Sequence, residues 1–185
     1  MLPVLMNAMQ PALAHCPDCI PITFTENKGQ WNNAFEYRAF IPGGTFFLQP
    51  DGWTYSLFDQ SVYEKIDGHL HFPSGANGVD TIKCHALQVK LLGGNSESFQ
   101  TAKRQKEYFN FLIGKDKSKW ASKVRAYEEV LQQDVYPGVD VLWQSSHGQL
   151  KYDLLLSPGT SIESIQFSYA GHDSIFIEDG KLLVE

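Results

Sequence analysis

Cations are in the minority in this chain: 15 lysines and arginines stand against 21 acids, for a formal charge of -6. That balance argues against general nucleic-acid affinity, which depends on clustered cations that release counterions from phosphate. Cysteine is scarce too, with three in 185 residues, so a disulfide-dense scaffold is excluded. No apolar run reaches the length of a membrane-spanning helix. The G-x-S-x-G elbow of serine hydrolases is absent. Gly43-Gly44 and Gly93-Gly94 lack both the spacing and the following helix that phosphate and dinucleotide loops require. There is no fixed-period repeat and no low-complexity tract.

What the sequence does contain is aromatic residues, 13% of the chain, with 15 glycines and 9 prolines spread along it. That mixture suits many short strands joined by tight turns. From Phe35 onward, alternating or apolar runs are punctuated by Pro42-Gly43-Gly44, Pro50-Asp51-Gly52, Gly93-Gly94-Asn95, Tyr136-Pro137-Gly138, His147-Gly148, Ser157-Pro158-Gly159 and Asp179-Gly180. The hairpin of residues 45–58 is the most sharply marked, because Pro presets φ and Gly accepts positive φ between two strand-like runs. Further strands are expected at 35–41, 83–92, 108–113, 126–133, 139–144, 149–156, 162–169, 174–177 and 181–185. Asp116 can cap one short helical turn ending at Trp120. Residues 124–135 also fit helical spacing, but Pro137-Gly138 turns directly into the strand-like run 139–143, which favours a strand. The expected fold is all-β, an antiparallel β-sandwich-like domain over residues 25–185. Its C-terminal edge is expected to be truncated, because residues 181–185 end on an apolar strand with nothing to cover it.

Residues 1–14 read as a signal peptide or disordered leader, with Ala12-Leu13-Ala14 matching the small-x-small rule for cleavage before His15. Residues 15–24 read as a linker and first strand. In an exported protein Cys16 and Cys19 form a candidate local disulfide, and Cys84 is left over as a small sheet residue.

The search for chemistry yields alternatives rather than a centre. His69 and His71 have the two-residue spacing of ligands on one strand face, but they lie in a polar stretch where solvated side chains are the simpler reading. Ser145-Ser146-His147 falls in a hairpin turn. Asp134, Asp140 and Asp153 would have to converge in space to act as paired carboxylates, and turn or surface roles are commoner. Trp31, Trp53, Trp120 and Trp143, with Tyr55 and Tyr152, form a candidate ligand platform for a sugar ring, Trp31, Trp53 and Trp143 foremost; core packing is the favoured alternative. Lys103, Arg104, Lys106, Lys115, Lys117, Lys119, Lys123 and Arg125 fall close together and read as a solvated face. The expectation is therefore no catalytic residue, no cofactor and no metal.

Several segments together resemble a known context. They are Glu26-Asn27-Lys28-Gly29-Gln30-Trp31, Gly43-Gly44-Thr45-Phe46-Phe47-Leu48, Asp51-Gly52-Trp53-Thr54-Tyr55, residues 108–114, Ser118-Lys119-Trp120-Ala121-Ser122, Tyr136-Pro137-Gly138-Val139-Asp140 and Gly148-Gln149-Leu150-Lys151-Tyr152-Asp153. The chain from Thr25 onward resembles the uncharacterised N-terminal domain of large Bacteroidetes-type surface proteins. Those carry SBBP β-propeller repeats, Ig-like or PKD modules and a C-terminal (type IX) secretion-sorting domain. The resemblance implies a secreted or cell-surface, β-rich, non-catalytic structural or interaction module, in keeping with an adhesion-related role. Its implied partners are the downstream domains of the same polypeptide and a surface glycan or protein. Carbohydrate binding through the tryptophans is the alternative function, and a hydrolase the third.

Overall fold

The computed structural model describes residues 21–58 and 83–185. The leader, its cleavage site, the Cys16 and Cys19 pair and the histidines 69 and 71 lie outside the described residues. Within them the chain forms β1 (Phe24–Glu26), β2 (Tyr37–Ile41), β3 (Gly44–Gln49), β4 (Gly52–Phe58), β5 (Cys84–Leu91), β6 (Ser98–Arg104) and β7 (Phe109–Phe111). Then follow β8 (Ala121–Val124), β9 (Ala126–Tyr136), β10 (Val139–Ser146), β11 (Gln149–Leu156), β12 (Phe167–Ala170), β13 (Ile175–Glu178) and β14 (Lys181–Val184). Two 3₁₀ turns, Lys117–Lys119 and Ile162–Ser164, complete the description, and no α-helix occurs among the described residues. The fold is all-β and antiparallel, as expected.

Turn chemistry sets the local pairings. At His147-Gly148 both φ angles are positive, 52° and 74°, the twisted two-residue turn that matches the twist of its flanking strands. It pairs Ser146 with Gln149 and so registers all of β10 on β11. Asp179-Gly180, at 49° and 72°, does the same for β13 and β14. The 124–135 region is the strand β9, not a helix.

β9 organises the rest. Tyr127 is registered with both Phe24 of β1 and Arg104 of β6, and Leu131 with both Leu142 of β10 and Gln100 of β6. So β6 lies along one edge of β9, while β1 and β10 follow one another along the other. Two arms leave that shared edge, β10-β11 on one side and β1-β2-β3-β4-β5-β12 on the other. They fold face to face: Trp143 of β10 meets Phe46 of β3 at a ring-centroid separation of 4.9 Å and Trp53 of β4 at 4.8 Å. The sandwich-like layering thus comes from one sheet curled on itself, with β11 and β12 at the two ends of the path and β6 as a further edge beside β9. The core between the layers is Phe24, Ala39, Phe46, Leu48, Trp53, Val89, Leu91, Val130, Val135, Val139, Val141 and Trp143.

A bulge lets β9 serve both arms. Asp134 sits at φ 48°, and the β9–β10 register shifts between Val139 and Val141. Before the bulge Val130 and Gln132 point inward; after it Val135 does. One extra residue moves the period-two alternation by one place and increases the local twist. Asp140 Oδ1 accepts the Asp134 N–H at 2.8 Å and holds the bulge.

Three strand expectations are corrected. Ile162 begins a 3₁₀ turn capped by the Ser161 hydroxyl, so the last strand of that run starts only at Phe167. The 108–113 strand shrinks to β7, leaving Leu112 and Ile113 in a loop. Residues 98–104, where no strand is expected from the sequence, form β6 against β9.

Candidate functional site

The tryptophans of the proposed platform do not share a surface. Trp53 and Trp143 are 2% and 0% exposed and pack in the core between the layers, whereas Trp120 is 38% exposed. Trp53 also packs on Tyr152 of β11 and Phe167 of β12, so aromatic side chains bridge the two end strands of the curled sheet. Its Nε1 is buried with no hydrogen-bond partner among the described residues. Tyr55, Tyr152 and Tyr169 gather along this seam. Burial, reinforced by Tyr152, pushes the Tyr55 and Tyr169 hydroxyls up to about 12, and burial raises Tyr152 as well. These are groups held neutral, suited to packing rather than to proton transfer near neutrality.

Gln132 and Ser96 are buried polar residues that composition and motif gave no reason to single out. Gln132 is fully enclosed. Its Nε2 donates to the Gln49 and Pro50 carbonyls at 3.1 and 2.9 Å, and its Oε1 accepts the Trp143 Nε1–H at 3.4 Å. Ser96 ties Pro50 to Gln133, its N–H donating to the Pro50 carbonyl at 2.8 Å and its hydroxyl to the Gln133 carbonyl. Together they bolt the β3–β4 turn to β9. At the end of β9 the Tyr136 hydroxyl lies 3.0 Å from the carbonyls of Leu92 and Gln166, which ties β9 to the β5–β12 end of the longer arm.

Trp31, half-buried, sits on the outer face. The Arg38 guanidinium lies 4.0 Å from its ring centroid and 4.8 Å from that of Phe40. Burial lowers the Arg38 pKa from its ordinary value. Trp31 also contacts Phe35 at 5.6 Å and Phe111 at 5.1 Å, which anchors the small β7–β8 sheet to this flank. Ala121 and Val124 of β8 are buried beneath it. The cation cluster noted in the sequence lies on β6, on the β7–β8 sheet and in their connections. Lys103 pairs with Glu129 at 2.7 Å, and Arg125 stacks on Tyr108 at 5.1 Å.

The candidate acids are occupied by structure. Asp134 makes the bulge, and Asp140 holds it. Asp153 lies 2.9 Å from Lys151 Nζ and accepts from Gln144 at 2.7 Å, and the lysine bond foremost keeps its carboxyl below the usual range. Ser145 accepts the Ile22 N–H at 3.1 Å, and His147 stands in the β10–β11 turn. Cys84 opens β5 and is exposed.

A further exposed surface is the β13–β14 hairpin. These strands pair with each other and with no other described strand. Ile175, Phe176, Ile177 and Leu182 are exposed, Ile177 at 76%. Register places Ile175 opposite Val184 and Ile177 opposite Leu182, so one face is wholly aliphatic and both outer edges are open.

No curated protein and no solved structure matches this chain. A family model described as a domain of unknown function, DUF7948, matches residues 24–185. That span runs from the first strand of the curled sheet through the exposed hairpin, and the chain belongs to the DUF7948 family.

Proposed function

We propose that this chain is a non-catalytic interaction module of a secreted or cell-surface polypeptide, and that its β13–β14 hairpin docks on an adjoining β-rich domain of that polypeptide. The single observation carrying this reading is the hairpin's aliphatic face of Ile175, Ile177, Leu182 and Val184, set apart from the main sheet. A two-stranded ribbon is marginal alone in water, and open edges with apolar faces favour addition to another sheet. Export is supported by Ala12-Leu13-Ala14 and by the resemblance to Bacteroidetes-type surface proteins. The structural duties of Asp134, Asp140, Asp153 and Ser145 support a scaffold in place of an active centre. Carbohydrate binding through Trp31, Trp53 and Trp143 is not favoured, since two of the rings are core.

The test is a paired substitution, Ile175→Lys with Ile177→Lys. In the natural polypeptide it should uncouple the melting of this domain from its neighbour, while the melting of the 185-residue chain stays unchanged. Unaltered coupling in the natural polypeptide would remove the docking role.

A further inference from the structure

We propose that the loop joining β7 to β8 is a membrane-docking tip that inserts into the surface of a bilayer bearing anionic lipid. The inference is independent of the docking assigned to the hairpin.

All nine residues from 112 to 120 are exposed, between strands registered Phe109 to Val124 and Phe111 to Ala121. Leu112 is 54% exposed, Ile113 78% and Trp120 38%. Flanking them are Lys115, Lys117 and Lys119, none in an ion pair among the described residues. The one acid in the loop is Asp116. Its carboxylate is already engaged, accepting from the Ser118 N–H at 3.0 Å and the Ser118 hydroxyl at 2.6 Å to cap the 3₁₀ turn. Trp120 Nε1 donates to the Gly114 carbonyl at 3.2 Å, and Lys117 Nζ lies 5.6 Å from the Trp120 ring. The indole is thus folded back onto the loop beside a lysine, with Ile113 next to the Gly114 that it contacts.

A bilayer surface satisfies all three residue classes at once. Exposed Leu and Ile gain only on transfer to an apolar phase. Tryptophan favours the headgroup level, where its ring is buried and its N–H stays hydrogen-bonded. The lysines lay their stems along the apolar boundary while their ammonium groups meet lipid phosphates. A groove on an acidic protein would bury the aliphatics but would have to enclose the lysines from several sides. A nucleic acid or polyanionic glycan would take the lysines and leave Leu112 and Ile113 in water. The tip is also a convex loop, which suits a soft flat surface. Lys106, Lys123 and Arg125 extend the positive charge along the supporting sheet.

The experiment is flotation of the 185-residue chain with vesicles of phosphatidylcholine containing phosphatidylglycerol, against vesicles of phosphatidylcholine alone. The native chain should float with the anionic vesicles, lose that binding at high salt, and stay behind with the neutral ones. Ile113→Asp should weaken partitioning by about tenfold or more, as loss of one inserted aliphatic side chain predicts. Lys115→Glu with Lys117→Glu and Lys119→Glu should abolish it. Circular dichroism should show both variants folded, because every altered residue is exposed; Ile113→Ser replaces Ile113→Asp should that variant misfold. Ile177→Lys should float like the native chain, which separates this proposal from the hairpin's role. No flotation of the native chain overturns the proposal. So does flotation indifferent to Ile113, or equal binding to polyglutamate with the same insensitivity, since either marks a plain polyanion contact.

Discussion

Gln132 holds a primary amide where no water reaches, and three main-chain or indole groups depend on it. Removing the amide leaves the Trp143 N–H without its partner and takes a donor from the Gln49 and Pro50 carbonyls, the latter still held by the Ser96 N–H; an unmet buried polar group costs about 1–3 kcal/mol. Gln132→Ala should therefore lower unfolding stability by at least that range, read from the urea midpoint at constant slope. A loss below about 0.5 kcal/mol, the range of a surface substitution, would show that the amide is not the bolt between β9 and the β3–β4 turn. The tyrosines give a second residue-level test. Tyr37, Tyr55 and Tyr169 are each pushed up to about 12, burial being the leading cause. The unfolded chain loses these protons near pH 10, before the folded one does, so ∂ΔG/∂pH is negative between about 10 and 12. Their contribution is whole below pH 10 and is lost as pH rises through the folded values. Alkaline titration followed by tyrosinate absorbance should show a late-ionising class that moves down on unfolding. Tyr55→Phe should shrink the alkaline loss of stability; an unchanged loss would contradict the burial of Tyr55.

Among the elements, β3 and the hairpin should behave oppositely to substitution. A Cβ on Gly44 would stand 2.2 Å from the Ser56 carbonyl oxygen across the β3–β4 ladder. Gly44→Ala must push the strands apart and should cost about 1–3 kcal/mol, as overpacking does, whereas Ile177→Lys should change the melting of the chain alone by less than about 0.5 kcal/mol. Equal effects would mean that the hairpin is integral to the main sheet. The elements also divide by how far the sequence displayed them. The 45–58 hairpin, β10–β11 and β13–β14 were legible because two-residue turns carry their own chemistry in Pro-Asp, His-Gly and Asp-Gly. β6 was not, because Ser98, Gln100, Ala102 and Arg104 give no apolar face, and its strand state comes from pairing with β9. Ile162 misled because its hydroxyl-capped turn lies within an apolar run. The platform misled differently: period-two alternation puts Trp53 and Trp143 on a face but does not say which faces are covered. That information resides in the join of two arms on one edge of β9, more than a hundred residues from Phe24 in sequence. Gln132 had no signal, since a glutamine in a strand is ordinary until its neighbours enclose it.

For the whole molecule, long-range pairing and charge placement matter most. β1 pairs β9 and β5 pairs β12 at long sequence separation, Phe24 with Tyr127 and Leu91 with Phe167, so contact order is high and refolding should fall in the millisecond-to-second range typical of all-β domains. Far-ultraviolet circular dichroism should show strand dominating. The charge of -6 conceals a cationic flank: eight lysines and arginines lie between residues 103 and 125 with only Glu107 and Asp116 among them in sequence, Lys103 being paired with Glu129 of β9. The molecule therefore presents two unlike surfaces, an aliphatic ribbon at β13–β14 and a basic, aromatic flank around β7–β8. The account stands on the first of these being an interface. Hydrogen exchange resolved by peptide, on the 185-residue chain and on the longer polypeptide proposed above, tests it most directly. Residues 175–184 should exchange quickly in the chain alone, while 46–48 and 130–143 stay protected, and should become protected in that longer polypeptide. Slow exchange of 175–184 in the isolated chain, or equally fast exchange in both, would contradict it.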